Sequence, residues 1–310
     1  MATLNDLLEN VPNGFGHTVA VAAAADRSVL EAVSMAVDRK MAHFRLYDDE
    51  LAATAMMREH FPQLLNHPHV QLHHVNSVEM AAEEAVKSVF RNDSDILMKG
   101  QIATAVLLKA VLNPEYGLRT GSVMSHIAAF EVAGFDRLIF VTDAGMNIKP
   151  DLSQKVQIIQ NAVQIARAVG VEMPIVAPLA GVEVINPNMD VTLDAAALTA
   201  MNQRGQIKDC IVDGPFALDN AISVDAAKHK RIAGDNAGKA DILLVPTIES
   251  GNILYKSLVF FSKAKVGSIV AGAKAPIVLS SRADSAESKL YSLALAICSS
   301  STSGTTIRRN

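Results

Sequence analysis

Half of the 310 residues are hydrophobic and 19% are charged, which excludes a disordered chain and gives enough apolar mass for a substantial core. The net charge is −4, tryptophan is absent and no lysine/arginine stripe with interleaved aromatics occurs, so a nucleic-acid surface is not expected. No apolar run approaches the ~20 residues of a bilayer span.

The first ten residues lack the basic start and apolar core of a signal peptide. Cys210 and Cys298 are too far apart in sequence to suggest a disulfide framework or a thiolate metal site. A cytoplasmic protein with neither membrane nor nucleic-acid partners is expected.

In chain order, the apolar run Thr18–Ala25 reads as a strand. Asp26 then caps a helix marked by Val29, Val33 and Val37. Phe44–Tyr47 is a second strand, and Asp48 and Asp49 open a helix to about Phe61. Val70–Val75 alternates as an edge strand does, and a helix through Met80, Ala85 and Val89 follows. Ile96–Met98 is a strand ending in Lys99-Gly100, and Thr104–Leu112 is helical.

Pro114 to Gly121 breaks the rhythm and marks a domain boundary. Ser122–Val132 and Leu138–Thr142 are strand-like, and Asp151 with Gln154 forms a capping box for a helix ending near Gly170. Ile175–Ala177, Cys210–Val212 and Ile242–Val245 read as buried strands, each followed by a polar or proline break and a helix. Ile269–Ala271 precedes a last strand, Ser285–Cys298 is helical, and Ser299–Asn310 is expected to fray. This alternation predicts an α/β fold with mostly parallel sheets covered by helices.

The last strand carries the strongest chemical signal. Lys274 to Asp284 runs through Ile277, Val278 and Leu279 and turns polar at Ser280, Ser281, Arg282 and Asp284. Parallel strands place functional groups beyond their carboxyl ends, so two hydroxyls, a guanidinium and a carboxylate there suit an anionic, reactive substrate. Asp284 or Ser285 could equally cap the next helix, and Ser285 is the better cap. Arg282 is not needed by a cap.

Five more polar clusters follow strands: Lys99-Gly100, Ser122 to His126 with Ser125, Thr142-Asp143 with Asn147, Asp213-Gly214-Pro215, and Glu249 to Asn252 with Gly251. Singly, Asp143 and Asp213 could be caps, Asn147 a turn residue and Gly251 a packing glycine. Their recurrence predicts a common cleft.

Other motifs fail. Gly14-Phe15-Gly16 precedes its strand and is no dinucleotide fingerprint, Gly267 to Gly272 lacks the lysine of a phosphate loop, and no Gly-x-Ser-x-Gly elbow occurs. His67, His69, His73 and His74 straddle an edge strand with no carboxylate at ligand spacing, so surface histidines are expected there instead of a metal.

Asp95–Gly100, Gly117–Gly121, Val141–Asn147, Asp213–Asp219, Ala240–Pro246, Glu249–Lys256 and Gly272–Ser285 resemble the phosphate acetyl/butyryltransferases. The resemblance runs from about Asp95 to Ala296 and is closer to the butyryl branch, through Gly-Leu-Arg-Thr-Gly and Ser-Arg-Ala-Asp-Ser.

It implies reversible transfer of a short acyl group, butyryl preferred, between coenzyme A and inorganic phosphate. The product is an acyl phosphate, and no metal or bound cofactor takes part. It also implies two domains like those of the isocitrate/isopropylmalate dehydrogenases with the active site between them, here residues 1–121 plus 268–310 and residues 122–267. A homo-oligomer, commonly a dimer, is expected.

The resemblance makes Ser281 and Arg282 the catalytic pair, with Arg282 on phosphate and Ser281 on the oxyanion. Lys109 falls where the family carries a second phosphate-binding arginine, and Arg119 is the alternative. Lys99, Ser125, His126, Asp143, Asn147, Gly251, Asn252 and Lys256 complete the expected phosphate and coenzyme A contacts. Acetyl-transferring members have an aspartate base seven residues after the serine; here that position is Ser288, the nearby carboxylates are Asp284 and Glu287, and Asp284 is taken as the candidate base.

Competing readings are a phosphate acetyltransferase, which would differ only in acyl-pocket width, and a metal- and NAD-dependent decarboxylating dehydrogenase. A non-catalytic binding protein on the same fold is a third.

Overall fold

The computed structural model describes residues 3–12, 14–279 and 284–303, the last three by backbone alone. Its first part contains α1 (Leu4–Asn10), β1 (Thr18–Ala22), α2 (Arg27–Asp38), β2 (His43–Asp48), α3 (Glu50–His60), β3 (Val70–His74), α4 (Val78–Phe90), β4 (Ile96–Lys99) and α5 (Thr104–Val111). Next come β5 (Ser125–Glu131), β6 (Ile139–Thr142), α6 (Leu152–Ala168), β7 (Ile175–Pro178), α7 (Asp190–Gln203), β8 (Ile211–Val212), α8 (Leu218–Ile222), α9 (Val224–His229), β9 (Ile242–Leu244) and α10 (Ile248–Phe260). The chain ends with β10 (Lys265–Ala271), β11 (Ile277–Val278) and α11 (Ala286–Ser303).

Polar side chains start the helices where the sequence places them. The Asp26, Asp49 and Ser77 side chains accept from the amides of Val29, Ala52 and Met80. Asp151 and Gln154 form a reciprocal capping box on α6. Each satisfies an amide that the first turn leaves unpaired. Ser285 does the same for α11, its hydroxyl accepting from the Ser288 amide at 3.1 Å. That helix continues past Cys298 to Ser303, and Ser299 is buried with its hydroxyl bonded back to the Ala296 carbonyl at 2.8 Å. The hydroxyl satisfies itself inside the helix, so the serine run does not end it.

The chain divides into two compact units: residues up to Asp6 with Val123–Val266, and Leu7–Ser122 with Gly267–Asn310. We call them the inserted unit and the flanking unit. In the flanking unit the strand order is β3-β2-β1-β4-β11-β10. All neighbours are parallel except β10 and β11. α2 packs on α11, and α4 packs on β1 and β2. In the inserted unit the order is β5-β6-β9-β7-β8, parallel except for β5 with β6.

Both antiparallel pairs have a common cause. Only short loops join β5 to β6 and β10 to β11, and a parallel crossover takes a dozen residues or more.

One face of the inserted unit's sheet, with Ala128, Phe130, Val141, Ala177 and Leu243, packs with Phe216, Ala221 and Ala227 and with Leu254, Tyr255 and Leu258 of α10. Phe140, Val176 and Ile242, which alternate with them, are also fully buried. Burial on both faces is what a parallel sheet between helices requires.

The histidines near β3 serve local packing. His69 stacks on Phe15 and meets His43 at 3.0 Å, His73 stacks on Tyr47, and His74 accepts from the Glu50 amide. None of the four is fully buried, in keeping with an edge strand.

Candidate functional site

In the inserted unit, the C-terminal end of β6 meets the start of β5. The Thr142 hydroxyl donates to the His126 carbonyl at 2.9 Å. Beyond it, Asp143 is 2% exposed and turned inward. Its Oδ1 accepts from the amides of Gly145 and Met146 at 2.9 Å each. Its Oδ2 accepts from the Asn147 amide at 3.1 Å and from Asn147 Nδ2 at 2.6 Å. Asn147 Nδ2 also reaches the Met124 carbonyl at 2.8 Å. Four donors on one carboxylate make Asp143 the clasp of the 143–147 turn.

The N-terminus of α10 sits directly on this turn. A Cβ on Gly251 would lie 2.8 Å from the Asp143 carbonyl oxygen and 2.9 Å from the Ala144 Cα, contacts that no side chain can make. Gly251 is thus a close-approach glycine. His126 is buried against Gly145, its ring edge-on to Tyr255 with centroids 5.9 Å apart. Ser125 is fully buried and accepts from Asn161 Nδ2 at 2.9 Å. Asn252 and Lys256, one turn apart on α10, are exposed.

In the flanking unit, the parallel strands β1, β4 and β11 end together. Register aligns Ala22 with Lys99 and Met98 with Val278. The Gly100 amide donates to the Ala22 carbonyl at 2.8 Å, and a Cβ there would fall 2.0 Å from the Ala23 oxygen, so only glycine closes this edge. Lys99 is 3% exposed, its Nζ 3.3 Å from the Gly100 carbonyl.

After Leu279 the next described residue is Asp284. Ser281 and Arg282 lie outside the described residues. Beside Asp284 stands a group the sequence analysis did not single out, Lys289. It is 3% exposed and donates to the Asp284 carbonyl at 2.6 Å. Burial holds its pKa below the usual lysine value, against the opposing charges of Asp284 and Asp26.

The flanking unit therefore gathers Lys99, Gly100, Asp284, Asp26 and Lys289 at one sheet edge. Lys109 is exposed in the last turn of α5, about 7.5 Å along the axis from that helix's start. Arg119 is exposed and bridges Ala273, at the end of β11 opposite to Leu279.

Residues 51–297 match the family described as phosphate acetyl/butaryl transferase. The chain belongs to that family. It is 54% identical over 297 residues to the probable phosphate butyryltransferase of Bacillus subtilis, covering 96% of this chain and 98% of that protein. It is 46% identical over 288 residues to the phosphate acetyltransferase of Thermotoga maritima, covering 93% and 97%. The structure of a branched-chain phosphotransacylase from Enterococcus faecalis matches at a TM-score of 0.80 and 35% identity, over 92% of this chain and 99% of that one.

Membership of the phosphate acetyl/butaryl transferase family makes the chain an acyltransferase. Among the described residues no helix is long and apolar enough to cross a membrane. Three of the stretches that carry the resemblance fall in the places described above: Asp95–Gly100 on β4, Val141–Asn147 on β6 and the clasped turn, and Glu249–Lys256 on α10. Lys289 was legible in principle. Lys289, Leu293 and Ala296 share one helical face, and the two apolar residues there are fully buried.

Proposed function

We propose that the protein moves a short acyl group, butyryl in preference to acetyl, reversibly between coenzyme A and inorganic phosphate. Full-length similarity to a probable phosphate butyryltransferase, at 54% identity, carries the reading. A phosphate oxygen attacks the thioester carbonyl, the tetrahedral intermediate expels the thiolate, and acyl phosphate and coenzyme A leave.

In this reading Arg282 holds the phosphate dianion, since its planar fork matches two phosphate oxygens. The Ser281 hydroxyl donates to the developing oxyanion. The thiol must lose a proton in the reverse direction, which calls for a base. Asp284 takes that part, because Ser288 stands where acetyl-transferring relatives would carry the aspartate. The Ser285 and Ser288 hydroxyls are 3.2 Å apart, and the Ser288 amide is capped by Ser285, so position 288 serves the helix start. Lys99, Lys109, His126, Asn252 and Lys256 supply further contacts to phosphate or coenzyme A, and Arg119, at the opposite end of β11, is left out of the phosphate site. An isocitrate dehydrogenase-like relationship of the fold, a dimeric assembly and a cytoplasmic location belong to the same reading.

The test is thiol release from butyryl-CoA and from acetyl-CoA with phosphate and EDTA present. Faster release from butyryl-CoA supports the proposal, whereas silence with both, or metal-dependent NAD reduction with a hydroxy acid, overturns it. Arg282→Ala is expected to raise the KM for phosphate by roughly a hundredfold, the order of a lost charge-assisted bidentate contact. Asp284→Asn is expected to lower turnover while leaving that KM in place; full turnover moves the base elsewhere.

A further inference from the structure

Lys289 stands where a cation is disfavoured twice over. It lies in the first turn of α11, at the positive end of the helix dipole. It is also 3% exposed, and burial works against its charge. Leu293 and Ala296 on the same helical face are fully buried, so an apolar side chain would pack there without either penalty.

What the lysine adds is a donor that the helix cannot provide. The ladder of α11 begins at the Ser285 carbonyl, which accepts from the Lys289 amide at 3.1 Å. The Asp284 carbonyl lies one residue earlier, ahead of the first intrahelical acceptor. Lys289 Nζ donates to it at 2.6 Å. One residue thus holds two successive carbonyls, one with its main chain and one with its side chain. This fixes the point from which the Asp284 carboxylate leaves the chain.

Two carboxylates face the ammonium and favour its charge, Asp284 and Asp26. Asp26 lies between β1 and α2 and is itself held, its Oδ1 accepting from the Val29 amide at 3.1 Å and from the Ser28 hydroxyl. Because α2 packs on α11, the lysine ties the chain entering α11 to the chain leaving β1. Glu287, the other carboxylate of the first turn, is exposed and accepts from the Tyr291 hydroxyl at 2.8 Å.

We propose that Lys289 is a positioning residue for acyl transfer, holding the Asp284 main chain so that its carboxylate meets the coenzyme A thiol. The proposal rests on the reading above in which Asp284 is the base. Lys289 touches no substrate in this role. A catalytic group displaced by about an ångström loses ten- to a hundredfold in rate, whereas substrate affinity does not draw on Asp284.

Lys289→Met keeps most of the side chain's bulk and removes the donor. Asp284 is half-buried, so water can take its carbonyl, and the variant is expected to fold. The experiment is a double-mutant cycle on the full chain: wild type, Lys289→Met, Asp284→Asn and the double variant. Transfer from butyryl phosphate to coenzyme A, the direction that needs the base, is followed as thiol loss, and kcat is referred to the folded fraction from thermal unfolding. The kcat of Lys289→Met should fall at least roughly tenfold, with the KM values for butyryl phosphate and coenzyme A unchanged. The double variant should be no slower than Asp284→Asn alone, because the lysine acts only through that residue. A merely structural loss would multiply with that of Asp284→Asn.

Full kcat in Lys289→Met, or losses that multiply, overturns the proposal, while a slow Asp284→Asn still keeps Asp284 as the base. Full turnover of Asp284→Asn overturns the assignment of the base and the role of Lys289 with it. No transfer by the wild type overturns the acyl-transfer reading itself.

Discussion

Asp143→Ala separates a structural carboxylate from a chemical one. The substitution leaves four donors without their acceptor: the amides of Gly145, Met146 and Asn147, and the Asn147 side chain. A buried donor without a partner costs ~1–3 kcal/mol. Gly145 is exposed, and Met146 and Asn147 are half-buried, so water can satisfy part of the set. Asn147 Nδ2 keeps the Met124 carbonyl. A loss of about 3 kcal/mol is expected, which lowers the Tm by roughly 6–12 °C for a unit of this size. Asp143→Asn keeps one acceptor oxygen and should lose about half as much.

The assay pairs thermal unfolding with thiol release measured well below the lowered Tm. If Asp143 is the clasp of its turn, stability falls and residual kcat follows the folded fraction. An unchanged Tm with turnover reduced a hundredfold would refute this and return the carboxylate to the chemistry.

Gly251→Ala is expected to cost about 2–3 kcal/mol, because the added methyl meets backbone atoms at 2.8 and 2.9 Å that cannot move independently. Chemical denaturation checks it, and a loss below 0.5 kcal/mol would mean that α10 shifts freely. For Lys289, burial lowers the folded-state pKa below the ordinary 10.5, so the unfolded chain binds more protons between the folded pKa and 10.5. Stability therefore rises with pH through that window. Lys289→Met should flatten the rise seen on going from pH 8 to pH 10; parallel curves for the two proteins would contradict it. Burial pushes the thiols of Cys210 and Cys298 up to about 11. Both should resist a thiol reagent at pH 8 and react once guanidinium is added, and rapid labelling of the native protein would show them accessible.

Strand and helix positions were legible because the local signals agree with the final packing, as at Asp26, Ser285 and the Asp151–Gln154 box. Strand direction was less so. The alternation predicts mostly parallel strands without saying which pairs depart from that, and the short loops after β5 and β10 account for the two antiparallel pairs.

Side-chain direction at strand ends was the least legible. Ser125 and Asp143 have the composition and position of ligand contacts, yet both point inward, to Asn161 and to the clasped turn. Nothing in a six-residue pattern distinguishes a carboxylate that faces a cleft from one that accepts its own turn's amides. The buried Lys289 was readable from its place on an apolar helical face, whereas its bond to the Asp284 carbonyl required the fold.

The flanking unit is built from two stretches of chain separated by the whole of Val123–Val266. During synthesis β1 to β4 leave the ribosome long before β11, whose place is beside β4. Until Gly267 and its successors emerge, β4 presents an unpaired apolar edge, and α2 lacks α11 as its cover. The inserted unit has all its strands by then and can close first. Completing the flanking unit then depends on contacts between residues far apart in sequence, which makes it the slow, aggregation-exposed step of folding. Shortening the chain at α11 should for this reason damage the amino-terminal strands more than the central ones.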